Sequence, residues 1–381
     1  MTLPSVAFIY PTSGRDTRLA DIESGGIPKD FFYGYTYLTD QQYPVSIVDS
    51  RTDPKDVLSL LTMRAEYYRS RIMGIGVNTQ RVHAIASELS GKDIALSFTD
   101  GFSLSLGLYG GRIQNRPVLA GGFHGLTDME DCCRPIFKNM VHSMIKRSLS
   151  GLDHLFFFGP ADRERAVEIY EQPEAKTSLF PFGVDLDFWQ PRSEPGGTSG
   201  VLSVGSDPKR DYTTLLKAQF ESKVRILTRL NVDVPQNRKD VEIIAGNLYG
   251  SNITDQVLRS LYQDASVVAV PLLDVWQPTG YSVTLQAMAC GKPVVLSNIR
   301  GLWDRNVFSS GKNCILVPPG NPQAMGDAIS QLNNNPQLRA EMGAEARKSA
   351  ERYFALSRME NALEQLVADL TKKNNPRPYP D

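Results

Sequence analysis

The 381-residue sequence has little of the residue types that define several common classes of protein. It has four cysteines, an adjacent pair at Cys132 and Cys133 and single residues at Cys290 and Cys314, and this spacing suits neither a zinc ribbon nor a disulfide framework. We therefore expect reduced thiols, as in cytoplasmic proteins. No stretch approaches the roughly 20 apolar residues that a membrane span requires.

An excess of charge of one sign is also missing. The 41 basic and 42 acidic residues leave a formal net charge of −1, which predicts no binding to nucleic acid. The first apolar run, Ser5–Tyr10, has neither a basic leader nor a long apolar region, so we do not expect a signal peptide. With 41% hydrophobic and 22% charged residues, the composition is typical of a soluble, cytoplasmic globular enzyme.

Short apolar runs alternate with helical patterns along the chain, which is typical of α/β domains with parallel sheets. The predicted strands are SVAFIY, PVSIVD, DIALSF, PVLAGG and HLFFFG in the first half, and VLSVG, VEIIAG, SVVAVPL, KPVVLS and NCILVP in the second. Since 381 residues exceed the usual size of one hydrophobic core, we expect two doubly wound domains.

The alternation breaks near residue 190, where a domain boundary is predicted. Trp189–Gly200 contains two Pro and three Gly, and a new strand begins directly after it. The predicted organisation is an N-terminal domain over residues 1–188, a linker over 189–200, and a C-terminal domain over 201–355. Residues 356–381 are expected to form a C-terminal helix followed by a disordered tail.

One segment of the N-terminal domain combines basic and apolar residues. Phe137–Gly151 places Lys138, His142, Lys146 and Arg147 among Met and Ile. The preferred interpretation is a surface helix that packs by its apolar stripe. A peripheral membrane anchor is the alternative, and it is not favoured.

Trp276–Ser297 begins as a turn, continues as a helix of small residues and ends as a strand. Such a turn places the helix N-terminus at the carboxyl edge of a parallel sheet, where doubly wound proteins bind ligands. Free backbone N–H groups and the positive helix end favour an anion there. Gly280 permits close backbone approach, and Ser282 and Thr284 can add hydroxyl donors. The segment predicts a phosphate or diphosphate cradle, with an ordinary helix cap as the alternative.

A pair of cations follows another strand of the same half. The segment VLSVGSDPKRDYTTLLKA ends a strand at Gly205 and presents Lys209 and Arg210 just before a helix. Two cations at the carboxyl end of a strand can neutralise a departing diphosphate without a metal. A solvated surface pair is the alternative, but the combination with the Gly280 turn favours a phosphate site.

These segments resemble the retaining GT-B glycosyltransferases of glycosyltransferase family 4 (glycosyl transferases group 1). The resemblance is carried by VGSDPKRDYTTLLKA, YQDASVVAVPL, GYSVTLQAMACGKPVV, GKNCILVPPGNPQAMGDAI and RYFALSRM, and by PFGVDLDFWQP near the linker. It implies two Rossmann-like doubly wound domains facing a central cleft. The N-terminal domain is then expected to bind an acceptor and the C-terminal domain a nucleotide sugar, with the last helix crossing back to the N-terminal domain.

The resemblance also implies a donor site in the C-terminal domain. Lys209 and Arg210 fall where the family's basic residues hold the donor diphosphate, and they are expected to be catalytic. Gln286 falls on the second glutamate of the family's Glu-x7-Glu motif, which holds the ribose hydroxyls. The remaining donor contacts are expected from Gly205, Thr279, Gly280, Tyr281, Ser282, Val283 and Thr284.

The sequence departs from that motif at both acidic positions. Pro278 stands where the first glutamate contacts the donor sugar, so neither carboxylate is present. Gln277, reached by a one-residue shift, is the preferred replacement, and Asp274 on the same loop is the alternative. Because of this departure, the sequence does not identify the donor sugar. The departure also motivates an alternative function, a relative that binds a nucleotide sugar but has lost catalytic turnover.

In the N-terminal domain, the resemblance assigns Gly25 and Gly26 to a loop beside the diphosphate and acceptor. It places His124, flanked by glycines at a predicted strand end, near the transferred sugar, and His124 is expected to be catalytic. Asp100 and Asp128 are further candidates for sugar or acceptor contacts. The other histidines, His83, His142 and His154, lie in or beside helical or strand patterns and are interpreted as structural.

Asp185-Leu186-Asp187 mimics the metal-binding motif of a different glycosyltransferase fold. We predict a structural turn instead, because these residues lie next to the linker and the cation pair already accounts for the leaving phosphate. Neither a metal nor a cofactor is therefore expected.

The implied activity is transfer of a hexosyl group from a UDP-sugar to an acceptor hydroxyl, with retention of configuration. GDP and ADP stay open as nucleotides, and neither the acceptor nor the oligomeric state follows from the sequence. A GT-B nucleotide-sugar 2-epimerase is a third alternative, disfavoured because Pro278, Thr279 and Gly280 offer no acid–base group.

Overall fold

A computed structural model of the chain describes residues 3–10, 15–49, 57–192, 200–246 and 253–374. The chain forms two compact units. The first comprises Met1–Thr17, Phe32–Pro181 and Met359–Asp381, and the second comprises Arg18–Phe31 and Phe182–Arg358. Residues 18–31, which the sequence analysis placed in the N-terminal domain, thus group with the second unit. Most of the predicted linker and the predicted tail, residues 193–199 and 375–381, lie outside the described residues.

Each unit is built, within its described residues, on a parallel sheet of six strands. Strands β1–β6 are Val6–Tyr10, Val45–Asp49, Ile94–Ser97, Val118–Phe123, His154–Phe157 and Thr177–Leu179. Strands β7–β12 are Val201–Val204, Val224–Thr228, Val241–Ala245, Val267–Val270, Val294–Ser297 and Ile315–Val317. The ten predicted strands are confirmed. The sequence analysis missed β6, a three-residue edge strand, and β8, a short run interrupted by Arg225.

The order of the strands determines where each sheet can bind a ligand. The first sheet has the order β2-β1-β3-β4-β5-β6, and the second has the order β12-β11-β10-β7-β8-β9. The order reverses between β1 and β3 in the first sheet and between β7 and β10 in the second. Doubly wound proteins bind ligands outside the carboxyl ends of the strands at such a switch point.

Helices cover the sheets, and most begin at a residue that suits a helix cap. Helices α1–α14 are Arg15–Glu23, Tyr35–Asp40, Val57–Met73, Thr79–Leu89, Asp100–Tyr109, Leu126–Asp131, Lys138–Ser150, Pro160–Ile169, Tyr212–Lys217, Asp255–Asp264, Tyr281–Ala289, Pro322–Asn334, Pro336–Tyr353 and Leu356–Asn374. The side chains of Asn78, Thr254 and Asn321 each accept a bond from the N–H three residues on. Gly280 is the N-cap residue of α11, and no side-chain hydrogen bond caps this helix.

The central strands are buried on both faces, as expected of parallel sheets covered by helices. Helix α7 buries Val141, Ile145 and Leu149 in the core of the first unit. Its apolar stripe thus packs inward, as the surface-helix interpretation requires. None of the helices in the described ranges combines the length and the apolar character that crossing a membrane requires.

Candidate functional site

Two loops meet at the switch point of the second sheet. One follows β7 over residues 205–211, and the other follows β10 over residues 271–280. The Asp211 N–H donates to the Pro271 carbonyl over 3.0 Å and joins the two loops. The predicted cation pair and the predicted cradle therefore lie at one place, at the carboxyl edge of the sheet.

Arg210 is the buried cation of this site. The residue is only 8% exposed, and its Nε and Nη1 have no hydrogen-bond partner in the described part of the chain. Burial lowers the pKa of the guanidinium, while nearby Tyr212, Asp207 and Tyr262 favour its charged form. A buried cation without a bonded counter-charge is unfavourable. The site is therefore electrostatically incomplete and suited to an anion.

Two glycines leave room for this guanidinium. A Cβ atom added at Gly205 would lie 2.0 Å from Arg210 Nε, and one added at Gly280 would lie 2.8 Å from Arg210 Nη1. Both glycines also have positive φ angles, 147° and 82°. A larger residue at either position would strain the backbone and displace the guanidinium.

Helix α11 begins at Tyr281, directly after the turn that contains Gly280. The Thr284 N–H donates to the Gly280 carbonyl over 3.0 Å, so the N–H groups of the preceding turn point out of the helix end. The positive end of α11 therefore lies at the carboxyl edge of the sheet. The predicted passage from turn to helix without a spacer is confirmed.

The side chains of the first turn of α11 differ in exposure. Ser282 is partly exposed, whereas Val283 and Thr284 are buried. The Thr284 Oγ1 has no hydrogen-bond partner among the described residues. The Tyr281 ring packs edge-on against Phe182, with 4.6 Å between centroids. Of the two hydroxyls considered as donors, only that of Ser282 belongs to a partly exposed residue.

Gln286 lies further along the same helix and is 2% exposed. Its Oε1 accepts a bond from the Tyr262 hydroxyl over 3.2 Å, and its Nε2 has no partner within the described ranges. Gln286, Thr284 and Arg210 thus provide a buried set of polar atoms that lack bonds. The contact of Gln286 with a ribose stays a prediction.

Asp207 connects the two loops. Its Oδ2 accepts bonds from Gln277 Nε2 at 3.0 Å and from Thr279 Oγ1 at 2.8 Å. Its Oδ1 accepts a bond from the Lys209 N–H at 2.9 Å. The sequence analysis missed this residue, because its role depends on partners about 70 positions away.

The two residues considered for the missing sugar contact have different surroundings. Gln277 belongs to the hydrogen-bond network of Asp207. Asp274 forms an exposed ion pair with Arg300, with 3.1 Å between Oδ2 and Nε, and Arg300 lies over the Trp276 ring. Gln277 is therefore the better integrated of the two with the cation loop.

Gly25 and Gly26 end helix α1. Gly25 has a φ of 69°, and its N–H donates to the Ile22 carbonyl, while the Gly26 N–H donates to the Asp21 carbonyl. This is the usual pattern of a left-handed helix cap. A Cβ at Gly25 would meet nothing within 4 Å. The described role of the pair is to end α1, and a diphosphate contact stays a prediction.

His124 and Asp100 lie together in the first unit, at the carboxyl edge of its sheet. The His124 ring stacks on Phe158, with 3.9 Å between centroids, and its Nε2 lies 2.9 Å from the Phe98 carbonyl oxygen. Since a carbonyl can only accept, Nε2 donates. Asp100 Oδ1 accepts bonds from the N–H groups of His124 and Gly125, each at 3.0 Å. Asp100 therefore fixes the loop that carries His124.

Asp162, near the start of α8, holds the start of helix α6, which follows the His124 loop. The sequence pattern did not predict this role. Its carboxyl accepts bonds from the N–H groups of Leu126 and Thr127 and from the Thr127 hydroxyl. Burial raises the pKa of Asp162 to about 7, although these hydrogen bonds lower it. Asp128, the other candidate of this region, lies on α6 and is 6% exposed.

The Asp185-Leu186-Asp187 segment forms the predicted structural turn. Asp185 Oδ1 accepts bonds from the N–H groups of Asp187 at 3.2 Å and Phe188 at 3.1 Å. Its Oδ2 accepts a bond from the Lys29 N–H at 2.9 Å. A carboxylate that bonds the backbone two and three residues on closes an Asx turn.

Asp30 is a second buried acid that the sequence analysis did not single out. Its Oδ2 accepts a bond from the Trp189 indole N–H at 3.0 Å, and its Oδ1 has no partner among the residues described. Burial, with the charge of Asp185, raises the pKa of Asp30 from 3.8 to about 8. The folded protein therefore holds this carboxyl protonated at neutral pH.

We expect Asp30→Asn to stabilise the protein increasingly as the pH rises from about 5 to about 8. Between the two pKa values the unfolded chain binds fewer protons than the folded one, so this group lowers wild-type stability by about 1.4 kcal/mol per pH unit. The asparagine removes that dependence and can still accept the Trp189 bond. Urea unfolding across this pH range measures the difference. Glu221→Gln, at an exposed position of the same unit, is the control, and a pH-independent difference would contradict the raised pKa.

The second unit matches a known family model. Residues 201–335 match the model of Glycosyl transferases group 1. Over these residues the chain is similar to the glycosyl transferases group 1 family. The matched range contains both loops of the site, residues 205–211 and 271–280. The predicted resemblance to glycosyl transferases group 1 is confirmed over residues 201–335.

The chain is similar to curated relatives over part of their length. It is 36% identical over 241 residues to a D-inositol 3-phosphate glycosyltransferase of Paenarthrobacter aurescens (strain TC1), a match that covers 55% of this chain and 55% of that protein. The chain spans about a quarter to about half of the length of the first curated relatives it matches.

Solved structures share the fold over nearly the whole chain. Sucrose-phosphate synthase from Thermosynechococcus elongatus has a TM-score of 0.68 at 17% identity and covers 97% of this chain and 100% of its own. HepE from Anabaena, solved in complex with UDP-glucose, has a TM-score of 0.66 at 14% identity and covers 96% of this chain and 100% of its own. At these identities the likeness shows the fold alone, and the chain has the two Rossmann-like units of the GT-B fold.

Proposed function

We propose that the protein is a glycosyltransferase that moves a hexosyl group from a UDP-sugar to an acceptor hydroxyl, with retention of configuration and without a metal. The observation that carries the proposal is the buried Arg210 guanidinium, which lies beside the N-terminus of α11 and has no bonds at Nε and Nη1 within the described part of the chain. A diphosphate supplies the anion that such a site lacks. The UDP-glucose bound to HepE supports UDP as the nucleotide.

The proposed chemistry breaks the bond between the sugar C1 and the diphosphate oxygen and forms a bond between C1 and the acceptor oxygen. Negative charge grows on the diphosphate as its bond breaks. Arg210, Lys209 and the N–H groups at the start of α11 stabilise this charge more in the transition state than in the bound donor. The departing phosphate takes the acceptor proton on the same face, so retention needs no carboxylate nucleophile.

His124 is assigned to the transferred sugar, and His124→Ala is expected to lower kcat/KM for the donor sugar. The loss of one hydrogen bond predicts a decrease of about 10-fold. The affinity for UDP should stay unchanged, because the proposed nucleotide contacts lie in the other unit. Steady-state kinetics and UDP titration on the same samples separate the two effects. His83→Ala, at an exposed histidine of the same unit, is the control, and an equal loss of UDP affinity would contradict the assignment.

The function is tested with UDP-, GDP- and ADP-sugars and a panel of hydroxyl acceptors that includes inositol phosphates. We expect release of UDP only when an acceptor is present, a glycosylated product in the mass spectrum, and no effect of EDTA. Binding of a nucleoside diphosphate without turnover of any pair would contradict the enzyme and favour a binding protein. The replacement of both motif glutamates, by Pro278 and Gln286, is the observation that favours this second candidate.

A further inference from the structure

We propose that Asp207 is a positioning residue of the donor site, one that sets the register between the loop carrying Arg210 and the loop carrying Gly280. The inference rests on the proposed function and deepens it. Nothing in the local sequence pattern assigns this role, because the partners of Asp207 lie about 70 residues further along the chain.

The hydrogen bonds of Asp207 hold both loops at once. The turn of the second loop is fixed internally, since the Thr279 N–H donates to the Gln277 carbonyl over 2.7 Å. The side chains of these same two residues donate to Asp207 Oδ2. Thr279 is only 2% exposed, so the bond to its hydroxyl forms in a largely dry environment, where it is strong.

The same residue also fixes the cation loop. Its Oδ1 accepts the Lys209 N–H, and its carbonyl oxygen accepts the Arg210 N–H over 3.0 Å. Gly280 directly follows Thr279, and a Cβ there would lie 2.8 Å from Arg210 Nη1. A displacement of one loop by about 1 Å would therefore change the fit between the guanidinium and the helix end. Displacements of this size are enough to weaken binding and catalysis.

Asp207 does not act as the bonded counter-ion of Arg210. Among the described residues, the donors to its carboxylate are Gln277, Thr279 and the Lys209 N–H. Its charge favours the charged form of Arg210 from a distance. The guanidinium Nε and Nη1 thus have no bonds to the residues that the structure describes, while the loop around them is held in place.

The test measures UDP affinity by calorimetry for Asp207→Ala, Thr279→Val and the double variant. We expect Asp207→Ala to weaken UDP binding by about 10- to 100-fold, Thr279→Val to weaken it less, and the double variant to match Asp207→Ala. Asp207→Asn, which keeps one acceptor oxygen, should restore part of the affinity. Asp233→Ala, at an exposed acid of the same unit outside both loops, is the control.

A second readout needs no ligand. Amide hydrogen exchange of residues 275–281 should be faster in folded Asp207→Ala than in the wild type, and unchanged exchange would overturn the inference. Multiplicative losses in the double variant would also overturn it, because they would show that Asp207 and Thr279 act independently. If Arg210→Ala loses UDP while Asp207→Ala keeps it, the inference is wrong and the proposed function stands. If the wild type binds no nucleoside diphosphate, both are wrong.

Discussion

Arg210→Ala is expected to lower kcat/KM for the nucleotide sugar by about 100- to 1000-fold, the usual loss when a preorganised charge at the transition state is removed. The effect should be large because the guanidinium is buried, so its interaction with the leaving diphosphate is little screened by water. Its Nε and Nη1 have no bonds to give up within the described chain when the donor binds. Steady-state kinetics with saturating acceptor measure the loss.

Two further variants define what Arg210 contributes. Arg210→Lys keeps the charge but loses the planar fork that pairs with two phosphate oxygens, so it should restore only part of the rate. Arg352→Ala, at an exposed arginine of α13, is the control for a general change in charge. Wild-type kinetics in Arg210→Ala would contradict the assignment of the diphosphate to this guanidinium.

Gly280→Ala is expected to weaken donor binding by at least about 10-fold and to lower the free energy of unfolding by about 1–3 kcal/mol. The alanine would be held at a φ of 82°, which strains its backbone. Its Cβ would also lie 2.8 Å from Arg210 Nη1 and 3.0 Å from Val270 Cγ1. The side chain of Arg210 would have to move, and the anion site would change shape.

Gly311→Ala separates the effect of backbone strain from the effect of the Cβ contact with Arg210. Gly311 has a φ of 84°, close to that of Gly280, but a Cβ there would meet nothing within 4 Å. The control should therefore lose a similar amount of stability from backbone strain and keep wild-type donor affinity. Equal donor affinity in both variants would show that the space beside Arg210 does not matter for binding. Urea unfolding and calorimetry on both proteins make the comparison.

The location of the site could be predicted because its main parts are patterns of consecutive residues. Gly280 ends a turn that continues directly into α11, and Arg210 follows strand β7, which ends at Val204. Each pattern places its residues at the carboxyl end of a parallel strand. The topology then brings the two strands, β7 and β10, side by side.

The remaining features depend on contacts between distant parts of the chain. Asp207 meets Gln277 and Thr279 only after β7 and β10 have paired. Asp30 is fully buried in the folded chain, where Trp189, 159 residues away, donates to it. Local sequence patterns contain neither partner, so neither role could be predicted from them.

Gln286 also has contacts that local sequence patterns could not predict, although the helix that carries it was predicted correctly. The spacing along the chain placed it on α11, which the structure confirms. In the folded chain Gln286 is buried, and its Oε1 accepts a bond from the hydroxyl of Tyr262 on α10. The motif position could thus be identified from the sequence, but the surroundings of the side chain could not.

Calorimetric titration of UDP and of uridine into the wild type and into Arg210→Ala tests the central claim most directly. The account predicts that the wild type binds UDP far more tightly than uridine, and that Arg210→Ala loses this difference while still folding. Equal affinities of the wild type for UDP and uridine, or an unchanged difference in Arg210→Ala, would contradict a diphosphate site at the buried guanidinium.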